Sequence, residues 1–230
     1  MKRAQLQMVQ TDIEQRRPVA TVTTLSTGEL MLVHPGDPLP DDLAELLAEA
    51  VRKDRSGVAQ TQAGEVFINV YNPKLRLVVI GAVHISQALI PMALAAGYDV
   101  TVIDPRTAFA SGERFADVTL DARWPEEALP PIQLDRRTAF VALTHDPKID
   151  DPALKIALAA DCFYIGALGS SRTHAKRVER LTAAGVAPEA LSRIRAPIGL
   201  DIGAIGAPEI AISIIAEITG ALRGKASKRI

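Results

Sequence analysis

Residues 75–103, LRLVVIGAVHISQALIPMALAAGYDVTVI, decide the fold of this chain of 230 residues. An apolar run over 75–80 ends at Gly81, and a helical pattern follows before a second apolar run at 99–103. Gly97 is placed to end the helix, because glycine readily adopts the left-handed conformation found after a helix C-terminus. Two apolar runs joined by a helix are typical of a parallel sheet covered on both faces. The stretch therefore predicts a βαβ unit.

The same alternation continues through the C-terminal two thirds of the chain. Further strand-like runs, mostly separated by helical segments, occur at 117–120, 139–144, 162–165 and 194–198. We predict an α/β domain over residues 74–230 with a doubly wound, Rossmann-like parallel sheet, ending in a basic tail at 223–230.

Residues 1–73 have the pattern of a small α+β domain. Two pairs of β-rich runs, 18–24 with 29–34 and 57–62 with 65–70, flank a helical pattern that opens at Asp41. The first pair is separated by a Ser-Thr-Gly turn and predicts a hairpin. A polar segment with a proline follows the last run, and it predicts a domain boundary after residue 73.

Composition excludes several classes of protein. Basic and acidic residues number 26 and 27, so no net field draws the chain to nucleic acid or to an anionic membrane. The single cysteine, Cys162, excludes an intrachain disulfide and a thiolate zinc cluster, and its apolar run predicts that it is buried. No apolar run is long enough for a membrane helix, and residues 1–17 lack the core of a signal peptide. We therefore expect a cytoplasmic location.

Ligands of a doubly wound sheet bind beyond the carboxyl ends of the strands, where the strand order reverses. The loop GAVHIS, residues 81–86, follows the first predicted strand at the position of a dinucleotide-binding loop, although valine replaces its second glycine. Its candidate cofactor contacts are Gly81, Ala82, Val83, His84 and Ser86. After the next strand, Asp104 could bond a ribose hydroxyl and Arg106 could favour an extra phosphate. A purely structural turn is the alternative.

A second loop, GALGSSR, follows the predicted strand at 162–165. Its candidate cofactor contacts are Gly166, Leu168, Gly169, Ser170, Ser171 and Arg172. A serine would cap the following helix, and the helix N-terminus together with Arg172 would hold an anion such as phosphate. Arg172, Lys176 and Arg180 are spaced to share one helical face. The alternative is a capped turn followed by a solvated basic helix.

The third loop contains His145 and Asp146, which are candidate cofactor contacts. His145 is a candidate for proton transfer or ligand contact, since imidazole titrates near neutral pH. Asp146, Asp150 and Asp151 are more simply explained as turn and cap residues. No histidine or cysteine spacing predicts a metal site, and neither a P-loop nor a nucleophile elbow occurs. No residue is assigned a catalytic role.

Four ordered motifs together resemble one known family. They are VVIGAVHISQALIPMALAAGYDVTVIDPRTAFASGERFAD, VALTHDPKIDDPAL, YIGALGSSRTHAKR, and PIGLDIGA followed by PEIAISIIAEI. Over residues 75–222 the chain resembles the C-terminal Rossmann domain of xanthine dehydrogenase accessory proteins, the XdhC/CoxF family. Residues 1–73 are shorter than the N-terminal domain of longer members and lack its cysteine-containing, glycine-rich stretch.

The resemblance implies an accessory protein rather than a turnover enzyme. It would bind the molybdenum cofactor, as molybdopterin or its dinucleotide form, and deliver it to an apo molybdenum hydroxylase such as a xanthine or carbon monoxide dehydrogenase. Gly199 and Gly203 would join the three loops at the cofactor site. The implied partners are the apo-enzyme, a cysteine desulfurase or a fuller XdhC family member, and a second copy of the chain.

Two other functions stay open. One is an NAD(P)-dependent oxidoreductase that uses Asp104 for the ribose and His145 as acid or base. The other is a non-catalytic partner of a fuller family member.

Overall fold

A computed structural model describes residues 2–106, 115 and 118–225. The chain divides into two compact units, Met1–Pro73 and Lys74–Ile230. In the described residues, none of the helices is both long and apolar enough to cross a bilayer.

The first unit is built around an antiparallel sheet. Its elements are α1 (Arg3–Glu14), β1 (Val19–Thr24), β2 (Leu30–Val33), α2 (Asp41–Lys53), β3 (Gly57–Thr61) and β4 (Gly64–Tyr71). The strand order is β2-β1-β4-β3, so the predicted hairpin of β1 with β2 is present. Leu43 and Leu47 on α2 pack with Ala20, Val22 and Ile68 of the sheet to form the core.

Helix α1 has no counterpart among the sequence predictions. Its buried residues are Val9 and Asp12, so the helix carries little of the apolar periodicity that identifies a helix in sequence. Asp12 accepts hydrogen bonds from Arg17 Nε at 2.9 Å and from Nη2 at 2.6 Å, and its other oxygen lies 2.9 Å from His34 Nε2. A polar cluster therefore ties α1 to the strand end at His34.

The second unit is a parallel sheet with helices on both faces, which confirms the predicted fold class. Its elements are β5 (Arg76–Ile80), α3 (His84–Ala95), β6 (Asp99–Ile103), β7 (Thr119–Asp121), α4 (Pro125–Ala128), β8 (Thr138–Ala142), α5 (Pro147–Ala159), β9 (Tyr164–Ala167), α6 (Ser171–Ala183), α7 (Pro188–Leu191), β10 (Ile194–Arg195) and α8 (Ala207–Leu222). Among the described residues the order is β10-β9-β8-β5-β6-β7, and each pair is parallel. The order reverses between β5 and β8, as in a Rossmann fold.

Strand β5 is central because its side chains enter both layers of the core. Leu77 and Val79 pack in the layer that contains α3 and α8. Val78 and Ile80 point to the opposite layer, which contains α5. Burial on both faces explains why the sequence of β5 is continuously apolar rather than alternating.

The structure corrects the boundaries of several predicted strands. The run predicted at 162–165 pairs two residues later, as Tyr164–Ala167, so Gly166 is a strand residue and Cys162 precedes the strand. Cys162 is buried, as predicted, and burial raises the pKa of its thiol to about 12. The run at 194–198 shortens to Ile194–Arg195, and the run at 117–120 becomes Thr119–Asp121. Residue 117 and residues 226–230 of the predicted basic tail lie outside the described residues.

Gly166 allows β9 to approach the chain that follows β10. A Cβ atom at this position would lie 2.5 Å from Ile198 Cδ1 and 2.7 Å from the Tyr164 hydroxyl. Such distances are well inside van der Waals contact, and the strand end has no free space for a side chain.

We expect Gly166→Ala to lower the free energy of unfolding by about 1–3 kcal/mol, because the added methyl overpacks the core against Ile198. Gly220→Ala is the matched control, since Gly220 lies within α8 and a Cβ there meets only an ordinary contact at 3.9 Å. That change should raise stability by about 0.5–1 kcal/mol, as glycine is unfavourable inside a helix. Urea unfolding measures both. A Gly166→Ala chain as stable as the unaltered one would contradict the packing described.

Candidate functional site

Three strand-end segments enclose a cavity of about 580 Å³, which we call the glycine-loop cavity. They are the loop between β9 and α6, the segment between β10 and α8, and the turn that follows β8. The residues predicted from sequence that line it are His145, Leu168, Gly169, Ser170, Ser171, Gly199 and Gly203. Its volume lies within the range of about 300–1,000 Å³ that is usual for small-molecule sites.

The β9–α6 loop presents a helix N-terminus at this cavity. The Ser170 hydroxyl accepts a hydrogen bond from Thr173 N–H at 3.2 Å and caps α6, as predicted for this loop. Gly169 has φ +127°, and a Cβ there would lie 2.9 Å from Thr173 Cγ2. Glycine therefore lets the loop turn tightly into the helix, where unpaired backbone N–H groups favour a negatively charged ligand.

A buried carboxylate anchors the opposite wall of the cavity. Glu217 on α8 is 5% exposed, and its Oε2 accepts hydrogen bonds from Gly199 N–H at 2.9 Å and from the Tyr164 hydroxyl at 2.6 Å. Burial and the neighbouring Glu217 raise the pKa of Tyr164, so this hydroxyl stays protonated and donates. Sequence analysis missed Tyr164 and Glu217. The available signal was an acidic residue within the largely apolar helical segment IAISIIAEI.

Asp150 orders the turn that carries His145. The Asp150 side chain is buried, and it accepts hydrogen bonds from the Thr144 hydroxyl at 2.7 Å and from His145 N–H at 3.1 Å. Burial raises the pKa of Asp150, although these hydrogen bonds act in the opposite direction. His145 adopts a left-handed conformation with φ 62°, and its side chain is exposed at the cavity wall. Asp146 caps α5 by accepting from Lys148 N–H at 2.9 Å, which is the turn and cap role considered for it.

The first loop is not part of the glycine-loop cavity as the described residues form it. Ala82, Ser86 and Asp104 are completely buried. The Ser86 hydroxyl donates to the Gly81 carbonyl, while Val83 precedes α3 and the exposed His84 begins it. The prediction grouped this loop with the cavity residues, whereas the structure uses most of it to join β5 to α3.

Asp104 is hydrogen-bonded by protein donors, and its role as a ribose ligand stays a prediction. It accepts from Ala82 N–H at 2.8 Å, from Arg106 N–H at 3.0 Å, and from Arg106 Nε and Nη2 at 2.9 and 2.7 Å. Burial opposes ionisation, but these hydrogen bonds outweigh it and hold the pKa of Asp104 below its usual range. The Arg106 guanidinium, which was predicted to bind a phosphate, therefore donates to Asp104 in this structure. Gly166, which was also predicted to contact the cofactor, is a strand residue of β9 and is not among the residues that line the cavity.

Metal binding finds no support in the part of the chain that the structure describes, where no three His, Cys, Asp or Glu side chains are grouped closely enough to share an ion.

The chain is similar to known proteins over the unit that holds the cavity. The family described as the XdhC Rossmann domain matches residues 77–218. The molybdenum cofactor insertion chaperone PaoD of Escherichia coli K12 is 34% identical over 148 residues, which are 64% of this chain and 40% of PaoD. A probable xanthine dehydrogenase subunit of Bacillus subtilis 168 is 35% identical over 159 residues, which are 68% of this chain and 46% of that protein. The chain thus spans less than half the length of both curated relatives.

A solved structure shares the fold over nearly the whole chain. It is described as a xanthine dehydrogenase from Bacillus halodurans, with a TM-score of 0.68 and 25% sequence identity. The match covers 97% of this chain and 65% of that one.

We expect Asp104→Asn to lower the free energy of unfolding by about 1–3 kcal/mol at pH 7, because an amide nitrogen replaces an oxygen that accepts a buried hydrogen bond. The folded-state pKa of Asp104 is lowered, so this contribution is present above the ordinary aspartate value of about 3.9 and is lost as the pH falls through the lower value. Urea unfolding at neutral and acid pH measures the difference.

Asp161→Asn is the control, since Asp161 pairs with Arg136 on the surface, with both side chains largely exposed. Its loss should be about 1 kcal/mol or less. An Asp104→Asn chain that unfolds like the unaltered protein at neutral pH would show that the carboxylate is not needed to hold the loop.

Proposed function

The chain belongs to the XdhC family, and on this premise we propose that it binds the molybdenum cofactor and hands it to an apo molybdenum hydroxylase. The observation that carries the proposal is the glycine-loop cavity, in which three segments from separate strand ends meet around a volume of about 580 Å³. A pterin with one phosphate, or its dinucleotide form, is a ligand of the size that such cavities accept.

The residues of the cavity suit a flat, polar ligand with a phosphate. Gly203 has φ +74° and no atom within 4 Å of the position that a Cβ would take, so its backbone lies open to a ligand. Backbone N–H and C=O groups of the glycine segments would bind the polar edge of a pterin, and the N-terminus of α6 would hold its phosphate. Bound at this site, the cofactor would supply the metal chemistry of the recipient enzyme, while this chain would hold and orient it.

Apolar side chains beside the cavity support docking of a recipient protein. Ile202 lines the cavity and is 51% exposed, and Ile205 is 90% exposed. Both residues belong to the segment between β10 and α8, and apolar surface exposed beside a ligand site is a candidate interaction surface. We propose that the apo-enzyme contacts this segment during transfer.

Three further points stay predictions. They are a cysteine desulfurase or a fuller family member as a further partner, a second copy of the chain in an oligomer, and a cytoplasmic location.

We expect Ser171→Trp to abolish or greatly weaken cofactor binding, because the indole fills the cavity where Ser171 lines it. The control is Thr182→Trp, which places the same side chain at an exposed position on the same helix. Equilibrium titration of each variant with purified molybdenum cofactor, followed by the absorbance of the pterin, measures the difference. Undetectable binding by the unaltered chain, or equal binding by the two variants, would refute the proposed function.

Ile205→Ser tests the transfer step separately. Because Ile205 is almost fully exposed, its replacement should leave the cofactor affinity unchanged while slowing reconstitution of an apo molybdenum hydroxylase from the loaded chain. Reconstituted hydroxylase activity measured against time gives the rate, and Val58→Ser, at an exposed position in the first unit, is the matched control. Equal transfer rates for all three chains would remove this segment from the docking surface.

A further inference from the structure

A second cavity, of about 260 Å³, lies between the start of α5 and one face of α6, and we call it the cationic cavity. Four basic side chains of α6 line it: Arg172, Lys176, Arg177 and Arg180. His145 lines both this cavity and the glycine-loop cavity. The two cavities are therefore neighbours that share one wall.

Arg177 is the unusual member of this group. It is only 2% exposed, and its Nη2 donates to the Leu168 carbonyl at 2.8 Å. Its Nε and Nη1 are buried, and neither has a hydrogen-bond partner among the described residues. Buried donors without acceptors cost free energy, and native structures rarely leave a guanidinium in this state. These two groups therefore lack an acceptor among the described residues, and a bound anion would supply one.

The carboxylates near Arg177 are engaged elsewhere. Asp150 uses its oxygens to accept from Thr144 and from His145 N–H. Asp151 accepts from Arg180 Nε at 2.5 Å and Nη2 at 3.1 Å, which neutralises Arg180. Burial lowers the pKa of Arg177, although both carboxylates act in the opposite direction.

The remaining charges of the cationic cavity stay available to a ligand. Arg172 and Lys176 are exposed, and neither forms an ion pair with any residue that the structure describes. Once Asp151 is paired with Arg180, the three cations Arg172, Lys176 and Arg177 face the single carboxylate of Asp150. The balance of charge at the cavity wall is positive.

We infer that the cationic cavity is a binding site for a phosphate-sized oxyanion. Arg177 forms its buried side, and Arg172 and Lys176 form its rim. The ligand class is a tetrahedral oxyanion, either free phosphate or the phosphate group of a molecule that also occupies the glycine-loop cavity. The inference stands on these contacts and does not require the proposed function.

Titration of the full chain with inorganic phosphate tests the inference, with sodium chloride holding the ionic strength constant. We expect saturable binding by calorimetry and a matching rise in melting temperature. Lys176→Ala should weaken the affinity about tenfold or more, the loss expected for one charge-assisted hydrogen bond. Lys155→Ala is the control, because Lys155 is exposed on α5 and lies outside the cavity lining, and its affinity should equal that of the unaltered chain.

Arg177→Met tests the buried side of the site and should abolish saturable binding. Should this variant fail to fold, Lys176→Ala still decides the question. The inference is overturned if the unaltered chain shows no saturable binding at millimolar phosphate, or if Lys176→Ala binds as tightly as Lys155→Ala.

A competition experiment distinguishes the two sources of the oxyanion. Displacement of phosphate by purified molybdenum cofactor supports the site and assigns it to the phosphate of the cofactor. Simultaneous binding of both supports the site and assigns it to a separate phosphate. Ser171→Trp should keep phosphate binding, since Ser171 lines only the glycine-loop cavity of the two. Phosphate binding without any cofactor binding would refute the proposed function and leave this site intact.

Discussion

Burial of strand β5 on both faces is the constraint on which the second unit depends. Leu77 and Val79 face one core layer, Val78 and Ile80 face the other, and all four are 0 or 1% exposed. Each such side chain contributes about 1.5–3 kcal/mol when it is removed from water. Because helices must cover both faces, the chain leaves the sheet after each strand at the same edge, and the strand-end loops meet there.

At that edge, buried carboxylates shape the loops. Asp104 accepts from Ala82 N–H after β5, Asp150 accepts from His145 N–H after β8, and Glu217 accepts from Gly199 N–H after β10. A carboxyl oxygen that accepts a buried backbone N–H group satisfies a donor that would otherwise cost free energy, so these hydrogen bonds favour the observed loop conformations. These three acids therefore act inside the structure, while the α6 N-terminus, Arg172 and Lys176 remain for a ligand. This division of roles agrees with an anionic cofactor.

The fold could be predicted because it follows from a pattern of apolar runs and breakers. The positions of β5, α3 and β6 come directly from the alternation around Gly81 and Gly97. The two-residue shift of β9 could not be predicted, because CFYI and YIGA are equally compatible with a buried strand and packing against Ile198 decides between them. Helix α1 was missed since polar contacts, rather than an apolar face, hold it.

The candidate site was only partly predictable. An acid such as Asp104 can bond its own loop or a ligand, and the choice depends on distances that a sequence does not contain. Arg177 looks like one more cation of a basic helix, and its spacing of four residues from the buried Leu181 was the signal that it lies on the inner face.

The anchoring of Gly199 by Glu217 ties one wall of the glycine-loop cavity to the core of the second unit. Helix α8 packs its buried Ile214 and Ile218 in the same core layer as α3, so the carboxylate is carried by one of the most firmly held helices of the unit. Moving the segment at Gly199 would break its hydrogen bond to a buried carboxyl group, which costs more than breaking a hydrogen bond at the surface. In the function that we propose, the segment at Gly199 would be an anchored support for the ligand, next to the exposed residues 201–203.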